Sequence, residues 1–524
     1  MRESLIEMNC ERNNVLPKPN YFKIDIIIGL MILALSLPGF FHYGDHPDEV
    51  GIIIWNMRYW NDWNPKTFIY PSLHIYSVKI ISLLLLDIAK FKLKIISEYT
   101  FREINFIGRF ISVLLAIGSV YILKRISLMT IRNRNCSTIA VFYAALFPLL
   151  NNICRFATLD VANLFWTLMA IWLHMIALRK RKTELYYLTG IVYGLAISVK
   201  YVAISLIPAF LITLILEQYS RLRNVRMIVS QAFIYLLFII LGFLIGTPYV
   251  IINWNGFLKD FIFLATKQTQ YAGKNVPIGF ITILHQMHYY FYWPILLMAL
   301  LGIYNFFLQR RNLSRYFLFL CIIFIYIFNG RTRFNPPRYL ILLYMFIIII
   351  SMRGYLVVKY LFRKYRSMVP IRLGITLFVI IPLILQLRNT IAITYNFIHE
   401  SRYESAQWFI MNTSPKEKIA LPQSITTYYP IKFIPEQKIF NIDKIPKEIP
   451  IAESLSQNNV KYFMSSSFWL RQFSEKEKQF LLQIQNDRKW HIVKEFSMRH
   501  FMGHIPQYTE FLNPQIIIYK RESY

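Results

Sequence analysis

Long apolar runs alternate with short clusters of lysine and arginine along most of this chain. That alternation leaves few folds open. Backbone N–H and C=O groups inside hydrocarbon must pair with each other, so apolar runs of this length become helices that cross a membrane. A content of 56% hydrophobic and 17% aromatic residues, with only 16% charged, is far from that of a soluble protein of this size. The formal charge of +30 does not point to nucleic acid. The lysines and arginines fall between the apolar runs, where the positive-inside rule puts them, and form no continuous basic surface. The partners this charge implies are membrane lipids, not nucleic acid.

The basic clusters set the topology. They are Lys124-Arg125 with Arg132 and Arg134; Arg179-Lys180-Arg181-Lys182; Arg221, Arg223 and Arg226; Arg310, Arg311 and Arg315; and the stretch 353–372. These mark cytoplasmic loops. The loops between them, which hold Asp48, Asp160, Lys200, residues 247–290 and residues 331–338, face outward. Residues 73–88 are apolar enough to span, yet a crossing there would carry Lys124-Arg125 and Arg132 to the wrong side. That run also holds His74, Lys79 and Asp87, so it is expected to stay at the outer face as a re-entrant or interfacial helix. About eleven spans follow, at 22–41, 105–123, 137–153, 161–178, 185–199, 202–216, 228–247, 291–308, 316–329, 339–352 and 370–388.

Residues 1–23 mix Arg, Lys and Glu without the pattern of a cleaved signal peptide, so the first run is expected to be a retained anchor with a cytoplasmic N-terminus. An odd number of spans then places the C-terminal part outside. The expected class is an α-helical polytopic protein of the cytoplasmic (inner) membrane with a juxtamembrane first outer loop, residues 1–390, followed by a small extracytoplasmic α/β domain, residues 391–524.

The composition changes near Arg388, where polar residues and prolines become frequent. Residues 403–411 have helical spacing after Ser401, a plausible N-cap. Strand-like runs follow at 418–421, 438–442, 461–464, 490–496 and 515–519. This region has one glycine, Gly503, too few for a glycine-rich phosphate loop. Its lack of cysteine rules out disulfides of its own; Cys10, Cys136, Cys154 and Cys321 all precede it.

The chemistry-bearing residues gather in the outer loops. In Tyr43-Gly44-Asp45-His46-Pro47-Asp48-Glu49, three carboxylates and a histidine stand where the chain leaves hydrocarbon. Charge at that depth needs a function or a partner. Asp48 could deprotonate an acceptor hydroxyl, with Glu49 holding it or raising its pKa; an ordinary acidic juxtamembrane loop is the plainer reading. Asn64-Pro65-Lys66 through Tyr70-Pro71-Ser72-Leu73 combines an aromatic belt with a helix start. Arg155 and Asp160 could pair with each other, or Asp160 could face a cavity shared with Asp48. Lys200-Tyr201 sets a lone lysine on the side where the rule disfavours it, either snorkelling to headgroups or meeting a phosphate. Arg331, Arg333 and Arg338 do the same, and Arg338, followed by Tyr339, stands nearest the next span; arginine is well suited to phosphate. His285 and His288 read as interfacial polar groups. No motif calls for a cofactor; a divalent metal is the one addition left open.

With these residues in hand, the chain resembles the GT-C glycosyltransferases, and within them the protein O-mannosyltransferase/aminoarabinose transferase group in its bacterial and archaeal branch. The matching stretches are His46-Pro47-Asp48-Glu49, Asn64-Pro65-Lys66 with Tyr70-Pro71-Ser72-Leu73, Gly108-Arg109, Arg155 with Thr158-Leu159-Asp160, Gly194-Leu195-Ala196 with Lys200-Tyr201, Gly246-Thr247-Pro248-Tyr249 and Arg338-Tyr339. Residues 402–408 resemble the start of the soluble domain of many members. The resemblance implies an inverting glycosyltransferase that draws on a polyprenyl-phosphate sugar donor and a glycan, lipid or protein acceptor. It maps the catalytic base onto Asp48, with Glu49 beside it and Asp160 as the second-loop aspartate. Lys200, Arg338 and Tyr339 are expected at the donor phosphate, and His46, Tyr70 and Arg155 in the substrate cavity. One departure stands out: aminoarabinose transferases carry a Glu-Lys-Pro-Pro type sequence where this chain has Ile69-Tyr70-Pro71-Ser72. A lipid-linked-sugar transporter or an assembly subunit is the competing class, but no inverted repeat or mid-membrane charge pattern supports transport.

Overall fold

The computed structural model describes residues 20–38, 40, 46, 49, 63–88, 90, 101–222, 224–267, 279–308, 313–332, 336–362, 369–421, 433–442, 445, 451–458, 460–467, 482, 484, 486, 489–497 and 515–522. Its helices are α1 (Asn20–Ser36), α2 (Leu73–Asp87), α3 (Phe101–Ile131), α4 (Arg134–Ala145), α5 (Pro148–Ile153), α6 (Leu159–Lys180), α7 (Thr183–Ile197), α8 (Ile207–Leu222) and α9 (Val225–Gly246). They continue with α10 (Tyr249–Ile252), α11 (Trp254–Lys267), α12 (Gly279–Tyr290), α13 (Trp293–Leu308), α14 (Leu313–Gly330), α15 (Ile341–Leu361), α16 (Val369–Ile398), α17 (Ser401–Asn412) and α18 (Ile451–Gln457).

Every expected span overlaps helix among the described residues. Among the described residues, seven helices are long and apolar enough to cross a membrane: Glu103–Ile131, Leu159–Lys180, Tyr201–Arg221, Val225–Gly246, Leu313–Gly330, Pro337–Leu361 and Leu373–Asn412. The other expected spans form shorter pieces. Helices α1, α7 and α13 have 17, 15 and 16 residues. The run 137–153 is split, because Pro148 has no N–H to continue α4 and instead opens α5. The protein is a multi-pass membrane protein.

Helix α2 lies at one end of the bundle, as the charge argument requires. Its Val78 and Leu86 pack on Ile104, Ile107 and Ile111 in the first turns of α3 and on Ala157. Its Ile75 packs on Leu159 and Ala162 at the start of α6 and on Val199 beyond the end of α7. All of these belong to one end of their helices. Two ion pairs fix α3 in the bundle. Arg109 near its start meets Glu49, and Lys124 further on meets Asp25 of α1; fifteen helical residues separate the two, about 22 Å. Glycines allow the tightest crossings: a Cβ on Gly194 of α7 would lie 2.1 Å from the Ile239 carbonyl oxygen of α9, and one on Gly354 of α15 would lie 1.8 Å from that of Met298 in α13.

The compositional change near Arg388 falls inside α16, which runs on to Ile398. Helix α17 is capped by Glu400, whose carboxylate accepts from the Tyr403 N–H at 3.1 Å. Ser401, expected as the cap, is the first helical residue. Beyond it stand β1 (Ile419–Leu421), β2 (Ile439–Asn441), β3 (Tyr462–Ser466), β4 (Trp490–Phe496) and β5 (Ile516–Arg521), on the five strand-like runs. The sheet order is β2-β1-β3-β5-β4. Strand β1 is parallel to both neighbours, and β5 is antiparallel to both of its own. Ala406 and Phe409 of α17 cover Ile419, Leu421, Phe463 and Ile518.

Candidate active site

The start of α6 places the first of the site residues. Thr158 is extended, so the helix starts at Leu159 and Asp160 falls in its first turn, where the helix dipole favours a carboxylate. Asp160 is only 3% exposed. Lys200 follows the end of α7 in extended conformation, and its Nζ donates to Asp160 Oδ1 at 2.5 Å. Arg338 sits in the short helical turn Pro337–Leu340, which Pro336 and Pro337 start, and its Nε lies 3.7 Å from Asp160 Oδ2. Tyr339 lies beneath the lysine, with Nζ 4.0 Å from the ring centroid. Three chain segments far apart in sequence thus meet at one carboxylate. Among the described residues two cations meet one carboxylate here, and both cationic side chains keep 16% of their surface exposed.

His46 joins this cluster. Its Nε2 is 3.1 Å from Arg338 Nη1, and its ring rests on Phe156 at 5.2 Å. A guanidinium only donates, so in this contact Nε2 is the acceptor. Three residues on, Glu49 is fully buried and accepts four hydrogen bonds: from Arg109 Nε and Nη2, both 2.7 Å, from the Ala157 N–H at 2.9 Å, and from the His46 N–H at 3.1 Å. A carboxylate so occupied is a clamp that ties the first outer loop to α3 and to the entry of α6. Asp48, the expected base, lies outside the described residues.

Arg155 does not line the cluster. It is fully buried, and its guanidinium donates to the Asn151 carbonyl at 3.1 Å, to those of Pro38 at 3.0 Å and Leu35, and to Thr394 Oγ1 at 2.7 Å. It caps the end of α1 and joins it to α16. Asp160 takes Lys200 and Arg338 in its place. Tyr70 is half-buried and packs beside Leu159, Ala162 and Val199, on the flank of Asp160 and Lys200. His285 and His288 stack with Tyr289 and Trp293 on α12 and its exit.

Some residues that shape the site drew no role from the sequence. Asp260 of α11 accepts from Thr67 Oγ1 and the Phe68 N–H, each at 2.6 Å. Tyr201 donates its hydroxyl to the Phe68 carbonyl at 2.9 Å, and the Leu73 N–H donates to that of Ser198 at 3.1 Å. The loop 63–72 is thereby pinned beside Lys200. Arg109 and Thr247 stood in quoted motifs, but nothing in sequence says whom they face.

Residues 88–251 match the dolichyl-phosphate-mannose-protein mannosyltransferase family. No curated protein sequence matches. The apo oligosaccharyltransferase of Archaeoglobus fulgidus superposes with a TM-score of 0.52 at 13% identity, over 85% of this chain and 69% of that one. ArnT from Cupriavidus metallidurans, solved bound to undecaprenyl phosphate, superposes with a TM-score of 0.54 at 11% identity, over 96% of this chain and 98% of that one. The likeness read from the sequence motifs is borne out for the fold, and the family match covers residues 88–251.

Proposed function

We propose that this chain, whose fold is that of the GT-C glycosyltransferases, moves a sugar from a polyprenyl-phosphate donor to an acceptor hydroxyl at the outer face of the membrane, with inversion. The observation that carries the reading is the convergence of Lys200 and Arg338 on the buried Asp160. A carboxylate holds two partly exposed cations in place, a setting suited to binding an anion. The phosphate of a lipid-linked sugar is such an anion, and the undecaprenyl phosphate bound by ArnT supports this donor class.

In the reaction, the acceptor oxygen attacks the anomeric carbon as the bond to the donor phosphate breaks. Asp48 takes the hydroxyl proton. The polyprenyl phosphate leaves with its negative charge facing Lys200 and Arg338, which stabilise it where it develops. Glu49 positions the loop through Arg109. Lys124 at one end of α3 and Asp160 at the start of α6 belong to opposite ends of the bundle; with the basic loops cytoplasmic, the site opens outward and the C-terminal sheet stands on the same side, where it can meet the acceptor.

The test is turnover of the purified full chain with a panel of polyprenyl-phosphate sugars. Wild type is expected to transfer from at least one donor, and Asp48→Asn to fold and insert normally but lose transfer. Near-normal turnover by Asp48→Asn removes Asp48 from the role of base; donor hydrolysis or transfer by neither protein removes the enzyme reading.

A further inference from the structure

The end of the bundle away from Asp160 gathers arginines at the last turn of α3. The final carbonyls of a helix have no partner within it, and here each is met by an arginine from another helix. Arg179 of α6 donates to the Met129 carbonyl, Arg315 of α14 to that of Thr130 at 3.1 Å, and Arg353 of α15 to that of Ile131 at 3.1 Å. Arg353 also donates to Asn305 Oδ1 of α13 at 2.8 Å. Arg132 follows directly, with a φ of 59°, in the left-handed position where a helix more often ends on glycine.

Depth and burial give this cluster a shape. Asp160 and Arg179 lie at the two ends of α6, about 28 Å apart along the helix, and the hydrocarbon core of a bilayer is about 30 Å thick. The arginines therefore stand at headgroup level on the side opposite the Asp160 cluster. Arg315 and Arg353, 4% and 5% exposed, form a floor; Arg132 and Arg179 are exposed and form a rim. All four are within electrostatic reach of one another: the charge of Arg132 acts on each of the other three, and that of Arg315 is further opposed by Arg179 and Arg353.

A single cation complements a helix C-terminus, whereas four, two of them buried, repel one another. Their own helices bring no carboxylate to offset this: residues 104–159, 161–183 and 261–399 contain neither aspartate nor glutamate. Of the acids on neighbouring segments, Asp25 meets Lys124 and Glu217 meets Arg181. We propose that the cluster of Arg132, Arg179, Arg315 and Arg353 is a binding site for the phosphate of an anionic membrane lipid, in the leaflet on the side of the basic loops. Guanidinium groups match phosphate oxygens in pairs, and the depth is that of lipid headgroups. A lipid held there would brace α3, α6, α14 and α15 together. Helix α6 begins beside Asp160 and α15 follows the turn that holds Arg338, so the same helices carry both ends.

Thermal unfolding of the purified full chain in detergent micelles tests this. The micelles are doped with dioleoylphosphatidylglycerol or dioleoylphosphatidylcholine, or receive inorganic phosphate instead, all at equal ionic strength. Phosphatidylglycerol is expected to raise the wild-type melting temperature by about 2 °C or more, and the other two additions to leave it unchanged. Arg132→Gln/Arg179→Gln, which alters only the exposed rim, should lose most of that rise. Lys182→Gln/Arg226→Gln, which removes the same charge from exposed positions elsewhere on that side, should keep it. Should the first pair fail to fold, Arg132→Gln alone is expected to lose part of the rise. Three results overturn the proposal. No rise in wild type means that the anion comes from the chain itself, as from the glutamates of residues 1–23. An equal loss in both pairs means diffuse attraction to the micelle surface. A rise as large with inorganic phosphate gives the site to a soluble anion.

Discussion

Lys200 Nζ reaches Asp160 Oδ1 at 2.5 Å and stands 4.0 Å above the ring of Tyr339, so one ammonium joins the end of α7, the start of α6 and the turn before α15. If that ammonium and Arg338 together receive the donor phosphate, losing either removes half of the charge on the leaving group. Lys200→Ala and Arg338→Ala are each expected to lower kcat/KM by about 100-fold. The double variant should fall by less than the product of the two, since both cations answer to Asp160. Steady-state kinetics on the donor in detergent checks this; fully multiplicative losses would mean independent sites.

Glu49 and Arg109 form a bidentate pair with almost no exposure. Removing one partner of such a pair leaves a buried charge alone, at about 3–5 kcal/mol. Glu49→Gln should therefore appear first as a lower melting temperature and only through it as lost activity. A variant that melts like wild type yet fails to turn over would give Glu49 a place in the chemistry itself.

How much of this could be read in the chain depends on range. The expected spans and all five strands follow from local apolar pattern, but the break at Pro148 falls inside the expected span 137–153, and α10, α11 and α12 lie in residues 247–290, which the charge pattern marks only as an outer loop. Lys200 and Arg338 draw notice because each is a cation on the side expected to be outer, and Asp160 because it matches the second-loop aspartate of the family the chain resembles. Arg155 looks the same in sequence, yet it serves the carbonyls at the end of α1; no local signal separates a cation that caps a helix from one that faces a cavity. The Glu49–Arg109 pair links positions 60 apart, and only the packing of α1 on α3 decides it. Ser401 and Glu400 are both able caps, and Glu400 serves because its carboxylate also meets Arg402 at 2.5 Å.

The contact between His46 and Arg338 sets an imidazole acceptor beside the guanidinium expected at the donor phosphate. His46→Gln, whose side-chain carbonyl can accept from Arg338, should keep the donor KM near that of wild type. His46→Leu, which cannot accept, should raise it several-fold. Steady-state kinetics on the donor checks this, and an unchanged donor KM in His46→Leu would detach His46 from the phosphate site.

Asp260 tests whether the loop before α2 matters to the reaction at a distance. Its carboxylate accepts from Thr67 Oγ1 and the Phe68 N–H, and Tyr201, next to Lys200, holds the Phe68 carbonyl. The loop is thus pinned from both sides, and Lys200 is placed partly through it. In Asp260→Ala the two donors turn to water at the membrane surface, so the fold loses little. The loop gains freedom, and Lys200 with it. The expected result is a rise of about tenfold in donor KM, equal to 1.4 kcal/mol, with the melting temperature nearly unchanged. Asp260→Asn, which keeps an acceptor oxygen, should recover most of that loss. If both variants bind donor like wild type, the loop is a surface feature and Lys200 is held by Asp160 and Tyr339 alone.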